Sequence, residues 1–323
     1  MALRIVVPDD HPAYFAGTPA ERRLRALGDV ALYDTTPRGG AELVARVREA
    51  DIAIGVYTKT RWTDAVLAAC PRLRLISRCG TGLDGIDLAA CRRRGVAVAH
   101  LIANDADEIA EHAIALTLCA LRRIAELDRA LRAGGWPTPP IRGARGLTMG
   151  VVGLGAIGSR TAALARAIGM DVLAWSYGPD RGRAARAGAA AVKLDDLLRR
   201  ADVVSLHLRL SPDTAGFIDA RRIALMKRDA VLVNTARGGI VDRAALIDAL
   251  TQAKIAGAAL DVFHAEPLPA GDALLSLPNV VLTPHVGSNM PEVVARGLAR
   301  AVANVANFLA GEPTGIAVAP PGR

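Results

Sequence analysis

Thr148-Met-Gly-Val-Val-Gly153-Leu-Gly155-Ala-Ile-Gly158-Ser-Arg160 is an apolar run that breaks into closely spaced glycines and then gives way to a helical pattern over 161–168. Each glycine answers a separate steric demand. Gly153 allows a tight turn, Gly155 lets a pyrophosphate approach the backbone, and Gly158 lets the helix touch the strand. The unpaired N–H groups at the helix start then face the phosphates. Strand, glycine turn and helix in this order predict a dinucleotide site in a parallel α/β sheet. A glycine-rich turn packed for structural reasons alone is the competing reading.

Working outward, short apolar runs at 3–7, 30–33, 51–56, 73–77 and 96–99 precede the turn, and runs at 172–175, 202–206, 230–234, 256–261 and 280–282 follow it. Polar or Ala/Arg-rich stretches separate them, which predicts βα units around a parallel sheet that restarts in the second half of the chain. Between the two series, 105–133 holds no Pro or Gly and repeats Ile109, Ala113, Leu116, Ala120, Ile124 and Leu127 at steps of three and four. One long helix is expected there, ended by Gly134 and Gly135. A last helix over 291–310 opens on Pro291 and stops before Gly311, with no strand expected after it and a frayed Pro-rich tail at 319–323.

At 323 residues the chain fits two domains, and 51% hydrophobic with 22% charged side chains excludes disorder, collagen and coiled coil. Cys70, Cys79, Cys91 and Cys119 have neither zinc-site spacing nor disulfide density. No metal site is expected. The start of the chain is too soon interrupted by acids for a signal peptide, and no stretch approaches the apolar length that spans a bilayer. A soluble cytoplasmic protein without a membrane partner is the expectation. The formal charge of +8 raises a nucleic-acid partner, but no basic stripe interleaved with aromatics accompanies it. Scattered arginines read better as a field favouring a small anion and a phosphate-bearing cofactor.

An acid usually ends the strand after the glycine turn, where it holds the adenosine ribose. Here Asp171 lies at the wrong end of 172–175 and Ser176 follows it, with Arg181 and Arg183 just beyond. NAD(H) and NADP(H) both stay open. Three later strands run into Thr235-Ala-Arg237, Asp261-Val-Phe-His264-Ala-Glu266 and Thr283-Pro-His285-Val-Gly287. Ligands of open α/β sheets bind at such carboxyl ends. Arg237, Glu266 and His285 there would supply a fork for a carboxylate, a partner for the imidazole and a proton donor. Singly, each could equally be a cap, a turn residue or a loop histidine.

With these segments in view, the chain resembles the D-isomer-specific 2-hydroxyacid dehydrogenase family over nearly its whole length. Arg78-Cys-Gly80-Thr81-Gly82-Leu-Asp84 is similar to that family's substrate-carboxylate loop, Ile109-Ala-Glu111-His112 to the start of its interdomain helix, and His207-Leu-Arg-Leu-Ser-Pro212-Asp-Thr214 to its segment beside the cofactor. The resemblance implies an α/β fold of two doubly wound parallel-sheet domains. A Rossmann-like dinucleotide-binding domain, 103–291, would be inserted in a flavodoxin-like substrate-binding domain, 1–102 and 292–323. It also implies hydride transfer between NAD(H) or NADP(H) and a small D-2-hydroxy or 2-oxo acid. His285 would be the acid/base, Glu266 would raise its pKa, and Arg237 would clamp the carboxylate.

Implied cofactor contacts are Gly153, Gly155, Ala156, Ile157, Gly158, Ser176, His207, Thr214, Thr235, Ala236, Asp261 and Gly287. Thr81, Gly82 and Tyr57, with Arg237, are the implied substrate contacts, and Thr58 and Lys59 are expected beside Tyr57. A homodimer is implied, built on the long helix and the 136–145 loop, and the regulatory domain of some phosphoglycerate dehydrogenases is expected to be absent. His100 and Ile102 stand where the family commonly has Asn and Pro, and Arg209 where it commonly has Pro. Alternatives on this scaffold are oxidation of phosphite or another small anion, and a cofactor-sensing corepressor-like binding protein.

Overall fold

The computed structural model describes residues 3–56, 60–178 and 181–319. Its strands, in chain order, are β1 (Arg4–Val7), β2 (Asp29–Leu32), β3 (Ile52–Gly55), β4 (Leu75–Arg78), β5 (Ala97–Ala99), β6 (Thr148–Val152), β7 (Asp171–Trp175), β8 (Ala190–Ala191), β9 (Val203–Leu206), β10 (Val231–Asn234), β11 (Gly257–Leu260), β12 (Val280–Leu282) and β13 (Ile316–Val318). They form an α/β architecture of two sheets in two compact units. One unit is Met1–Asn104 with Asn289–Arg323, and the other is Asp105–Ser288. No helix among the described residues is long and apolar enough to cross a membrane.

The first unit has strand order β13-β5-β4-β3-β1-β2. Every residue of β3 and β4 is buried, as expected of parallel strands covered by helices on both faces. The helix Pro291–Leu309 supplies part of that cover, packing Leu298, Ala301, Val302 and Val305 among Ile5, Val7, Leu75 and Ala97. Full burial of each large apolar side chain contributes about 1.5–3 kcal/mol. Ser77 Oγ adds a bond to the Ala301 carbonyl at 2.9 Å.

The expectation of no strand after this helix is corrected by β13, which pairs antiparallel with β5 through Ile316–Ala99 and Val318–Val98. Gly315 makes the turn that allows it. Its φ is +62°, its carbonyl accepts from His100 N–H at 2.8 Å, and a Cβ there would lie 2.4 Å from the His100 oxygen. Three residues are too few to show a period, and the partner strand is remote in sequence.

The second unit is a parallel sheet of order β12-β11-β10-β9-β6-β7-β8. Strand order reverses at β6, which lies between β7 and β9, so the glycine turn leaves the sheet at its switch point. The helix after that turn spans Ala156–Ala167, starting five residues before the predicted 161. The single helix expected over 105–133 is two, Ala106–Leu121 and Ile124–Arg132. Arg123 breaks it with φ +53°, and its guanidinium pairs with Glu126 at the start of the second piece. The first piece buries Ala110, Ala113, Ile114, Leu116 and Leu121, whereas the second buries none of its residues.

Candidate active site

The glycine turn is fixed by its neighbours. Gly153 N–H donates to the Trp175 carbonyl at 2.8 Å, and its φ of +102° strains any L side chain, whose Cβ would meet the His207 oxygen at 2.7 Å. A Cβ at Gly158 would lie 1.9 Å from the Gly153 oxygen, so the helix rests directly on the turn. At Gly155, by contrast, a Cβ would meet nothing within 4 Å. Ala156 and Ile157 open the helix, where N–H groups have no partner within it. Across the sheet ends, the Thr235 hydroxyl is buried without a hydrogen-bond partner among the described residues. An open turn, a helix start and an orphaned hydroxyl suit a phosphate-bearing dinucleotide.

The chain leaves β10 through a turn shaped by Asn234, which is 1% exposed. Its side chain accepts from Ala236 N–H at 3.0 Å and donates to the Arg237 carbonyl at 2.9 Å. Arg237 Nη1 donates to the Ala236 carbonyl at 2.7 Å. Gly238 then packs so closely on the backbone of Phe263 that a Cβ would come within 2.2 Å of its carbonyl carbon. The loops after β10 and β11 are thereby held together.

Glu266 lies on the second of these loops. Its Oε1 accepts from Phe263 N–H at 3.0 Å, and its Oε2 stands 2.7 Å from His285 Nδ1. Desolvation pushes the carboxyl pKa up. The bonds from His285 and Phe263 and the charges of His285 and Arg237 outweigh it, so the pKa lies below the ordinary 4.5. His285 itself has φ +57°, a left-handed backbone that is unfavourable by about 1–2 kcal/mol for a residue with a side chain. Neighbouring contacts hold it there.

Those contacts centre on Asp261, at the end of β11. Its Oδ1 accepts from Thr283 Oγ1 at 2.6 Å and Val286 N–H at 3.0 Å, and its Oδ2 from Gly287 N–H at 3.0 Å. His112 Nε2 lies 3.4 Å from Oδ1 and 3.1 Å from Thr283 Oγ1. Desolvation again raises the carboxyl pKa, but these bonds carry it below the ordinary 3.8. The residues on both sides of His285 are therefore pinned to one buried carboxylate.

His207 follows β9, its Nε2 2.9 Å from Ser205 Oγ, and loss of hydration pushes its imidazole down to about 4. Thr214 is buried, and its hydroxyl accepts from Ser211 N–H at 2.7 Å while donating to the Arg209 carbonyl at 2.6 Å. Ser176 is half-buried immediately after β7. Among the described residues no group of three His, Cys, Asp or Glu side chains is placed to hold a metal ion.

In the first unit, Thr81 and Gly82 sit on the loop after β4. The buried His100 supports this loop, with Nδ1 3.1 Å from the Thr81 carbonyl. The next residue, Leu101, donates its N–H to Gly80 at 3.1 Å. Tyr57, Thr58 and Lys59, and most of the tail expected to fray, lie outside the described residues.

Residues 114–287 match the family model described as D-isomer specific 2-hydroxyacid dehydrogenase, NAD binding domain. The D-3-phosphoglycerate dehydrogenase of Mycobacterium leprae is 42% identical over 298 residues, 91% of this chain and 56% of that protein. The chain belongs to the D-isomer specific 2-hydroxyacid dehydrogenase family. It spans a little over half the length of that relative. The glyoxylate reductase of Aeropyrum pernix is 37% identical across 88% of each chain. The structure of a D-lactate dehydrogenase from Aquifex aeolicus, complexed with NAD and lactic acid, superposes with TM-score 0.86 at 29% identity, covering 98% of this chain and 99% of that one. The second unit of this family member thus contains its nicotinamide-dinucleotide domain.

Three further residues of this dehydrogenase-family chain shape the site without belonging to its motifs' expected contacts. Asn234 shapes the Arg237 turn, Thr283 bridges Asp261 and His112, and Ser205 holds His207. A buried Asn closing a strand carries a sequence signal, since its amide bonds to backbone two and three residues on. The other two have none, because their partners are set by tertiary packing.

Proposed function

We propose that this chain moves hydride between NAD(P)(H) and a small D-2-hydroxy acid or the matching 2-oxo acid. The observation that carries the reading is His285 Nδ1 at 2.7 Å from Glu266 Oε2, with Arg237 close enough for its charge to act on that carboxylate. When bound, the nicotinamide supplies or accepts the hydride. His285, oriented through Nδ1, uses Nε2 to give a proton to the substrate oxygen during reduction and to take it back during oxidation. Glu266 holds the ring and balances its positive charge. Arg237 grips the substrate carboxylate with its fork and polarises the reacting carbonyl.

Within the same proposal, Gly153, Gly155, Ala156, Ile157 and Gly158 take the pyrophosphate. Ser176, His207, Thr214, Thr235, Ala236, Asp261 and Gly287 line the rest of the dinucleotide, and Thr81 and Gly82 offer backbone N–H groups to a carboxylate. The relatives are named for phosphoglycerate, glyoxylate and lactate, and their common chemistry is a carboxylate beside a carbon that alternates between hydroxyl and carbonyl. Reduction of a panel of 2-oxo acids, each with NADH and with NADPH, tests the reading. Turnover of at least one is expected, and turnover of none would overturn it.

A homodimer belongs to the same proposal. Ile124, Leu131, Trp136 and Ile141 are all exposed, Trp136 by 82%. Replacing Trp136 and Leu131 by Asp is expected to give a monomer in sedimentation analysis, and an unchanged mass would remove this face from the interface.

A further inference from the structure

Ser176 follows β7, whose last carbonyl, that of Trp175, accepts the Gly153 N–H at 2.8 Å. The residue at this strand end is therefore beside the glycine turn, where doubly wound sheets meet the adenosine ribose. A carboxylate there accepts bonds from the two hydroxyls of an NAD ribose and repels the 2′-phosphate of NADP. Ser176 brings no negative charge, and its Oγ donates to the Gly178 carbonyl at 3.0 Å.

A cation reaches the same turn from the next helix, Arg181–Arg186. Arg183 Nη1 donates to the Leu154 carbonyl, inside the glycine stretch, at 3.3 Å. Beside it opens a cleft of 370 Å³ lined by Ala156, Ser159 and Arg160 of the phosphate-facing helix and by Arg183 and Arg186. The carboxylate in that lining, Asp107, pairs with Arg160 at 2.5 Å. The described lining carries the guanidinium groups of Arg160, Arg183 and Arg186 and the carboxylate of Asp107.

We propose that Ser176 and Arg183 select NADP(H) over NAD(H), with Arg183 pairing with the 2′-phosphate. This rests on the dinucleotide-site reading above. A phosphate monoester carries close to two negative charges at neutral pH. A planar guanidinium already steadied by a backbone carbonyl meets it as a fork, whereas an ammonium would act as a point charge. The free 2′-hydroxyl of NAD(H) offers Arg183 no such charge, so the same residue adds little to its binding.

Calorimetric dissociation constants of the full chain for NADPH and NADH test the proposal without any substrate. NADPH is expected to bind about 10–100-fold more tightly, the range of one or two charged hydrogen bonds, and to lose more affinity than NADH as salt is raised. Ser176→Asp is expected to reverse the order of preference. Arg183→Ala should remove most of the NADPH advantage while changing NADH affinity far less, and Arg183→Lys should restore part of it.

Equal or tighter binding of NADH by the unaltered chain would overturn the proposal. So would an equal loss for both nucleotides in Arg183→Ala, which would make Arg183 a support of the turn through Leu154 and nothing more. Binding of neither nucleotide would instead sink the dinucleotide-site reading itself. Reduction of a 2-oxo acid with NADH preferred would leave the dehydrogenase reading standing and remove only the selectivity.

Discussion

Asp261 with His112 and Glu266 with His285 are the same chemical pair, a carboxylate facing an imidazole, and both carboxylates follow β11. Their settings differ. The side chains of Asp261 and His112 are 3% and 18% exposed, and the Asp261 carboxylate is bonded to Thr283, Val286 and Gly287 as well. The side chains of Glu266 and His285 are 30% and 37% exposed, and Glu266 takes one backbone N–H besides the imidazole. A buried carboxylate already held by a hydroxyl and two backbone N–H groups fixes the backbone around the site and is poorly placed to exchange a proton. A partly open pair, with one imidazole nitrogen held and the other left over, can exchange a proton with a ligand. Burial and bond count, not residue type, separate a group that builds the site from one that reacts in it.

The sharpest way to break this comparison is to remove each imidazole or carboxylate in turn. His285→Ala is expected to lower turnover about 100-fold or more while nicotinamide binding stays intact, and unchanged turnover in single-turnover and steady-state assays would end the acid/base role. Asp261→Asn keeps the shape but leaves donors at Val286 and Gly287 facing an amide, and should lower folding stability by roughly 2 kcal/mol in urea unfolding. Glu266→Gln should behave oppositely. Its turnover should fall with stability lowered by less than about 1 kcal/mol, since a partly exposed pair is screened by water. If Glu266→Gln proved the more destabilising of the two, the division between building and reacting would fail.

Arg237→Lys is a milder probe of the reactive side. The charge survives but the fork is lost, so KM for the 2-oxo acid should rise about tenfold, as for one lost charged hydrogen bond. An unchanged KM would take the carboxylate from Arg237.

Much of this layout was legible in the sequence. Glycine needs at 153 and 158 are local steric facts, and apolar runs ending in Arg237, Glu266 and His285 are read from neighbouring residues. What escaped depends on contacts between distant parts of the chain. The break at Arg123 involves no Gly or Pro, and β13 exists only because β5 offers an edge. The bonds of Asp261 run to residues more than twenty positions later and to a histidine on another helix. Spacing along the chain could not have shown that this carboxylate and the N–H of Gly287 meet each other.

The smallest expected effect, and the most selective, is in acid. Asp261 has its folded pKa held below the ordinary 3.8, so its contribution is full above that value and is lost as pH falls through the folded pKa. The stability gap between the unaltered chain and Asp261→Asn should therefore stay level from neutral pH down to about 4 and narrow below it. Acid weakens the fold through His207 as well, because the unfolded chain takes up that proton from the ordinary 6.5 while the folded one resists to about 4. That slope is common to both proteins, and it cancels in their difference. The gap for Glu266→Gln should be smaller and begin to close just below the ordinary 4.5, since the folded pKa of Glu266 is depressed too. Thermal unfolding midpoints of the three proteins across the acid range measure all of this. A gap for Asp261→Asn that persisted unchanged into strong acid would mean that Asp261 is not held as a carboxylate in the fold, and the contrast between the two pairs would collapse.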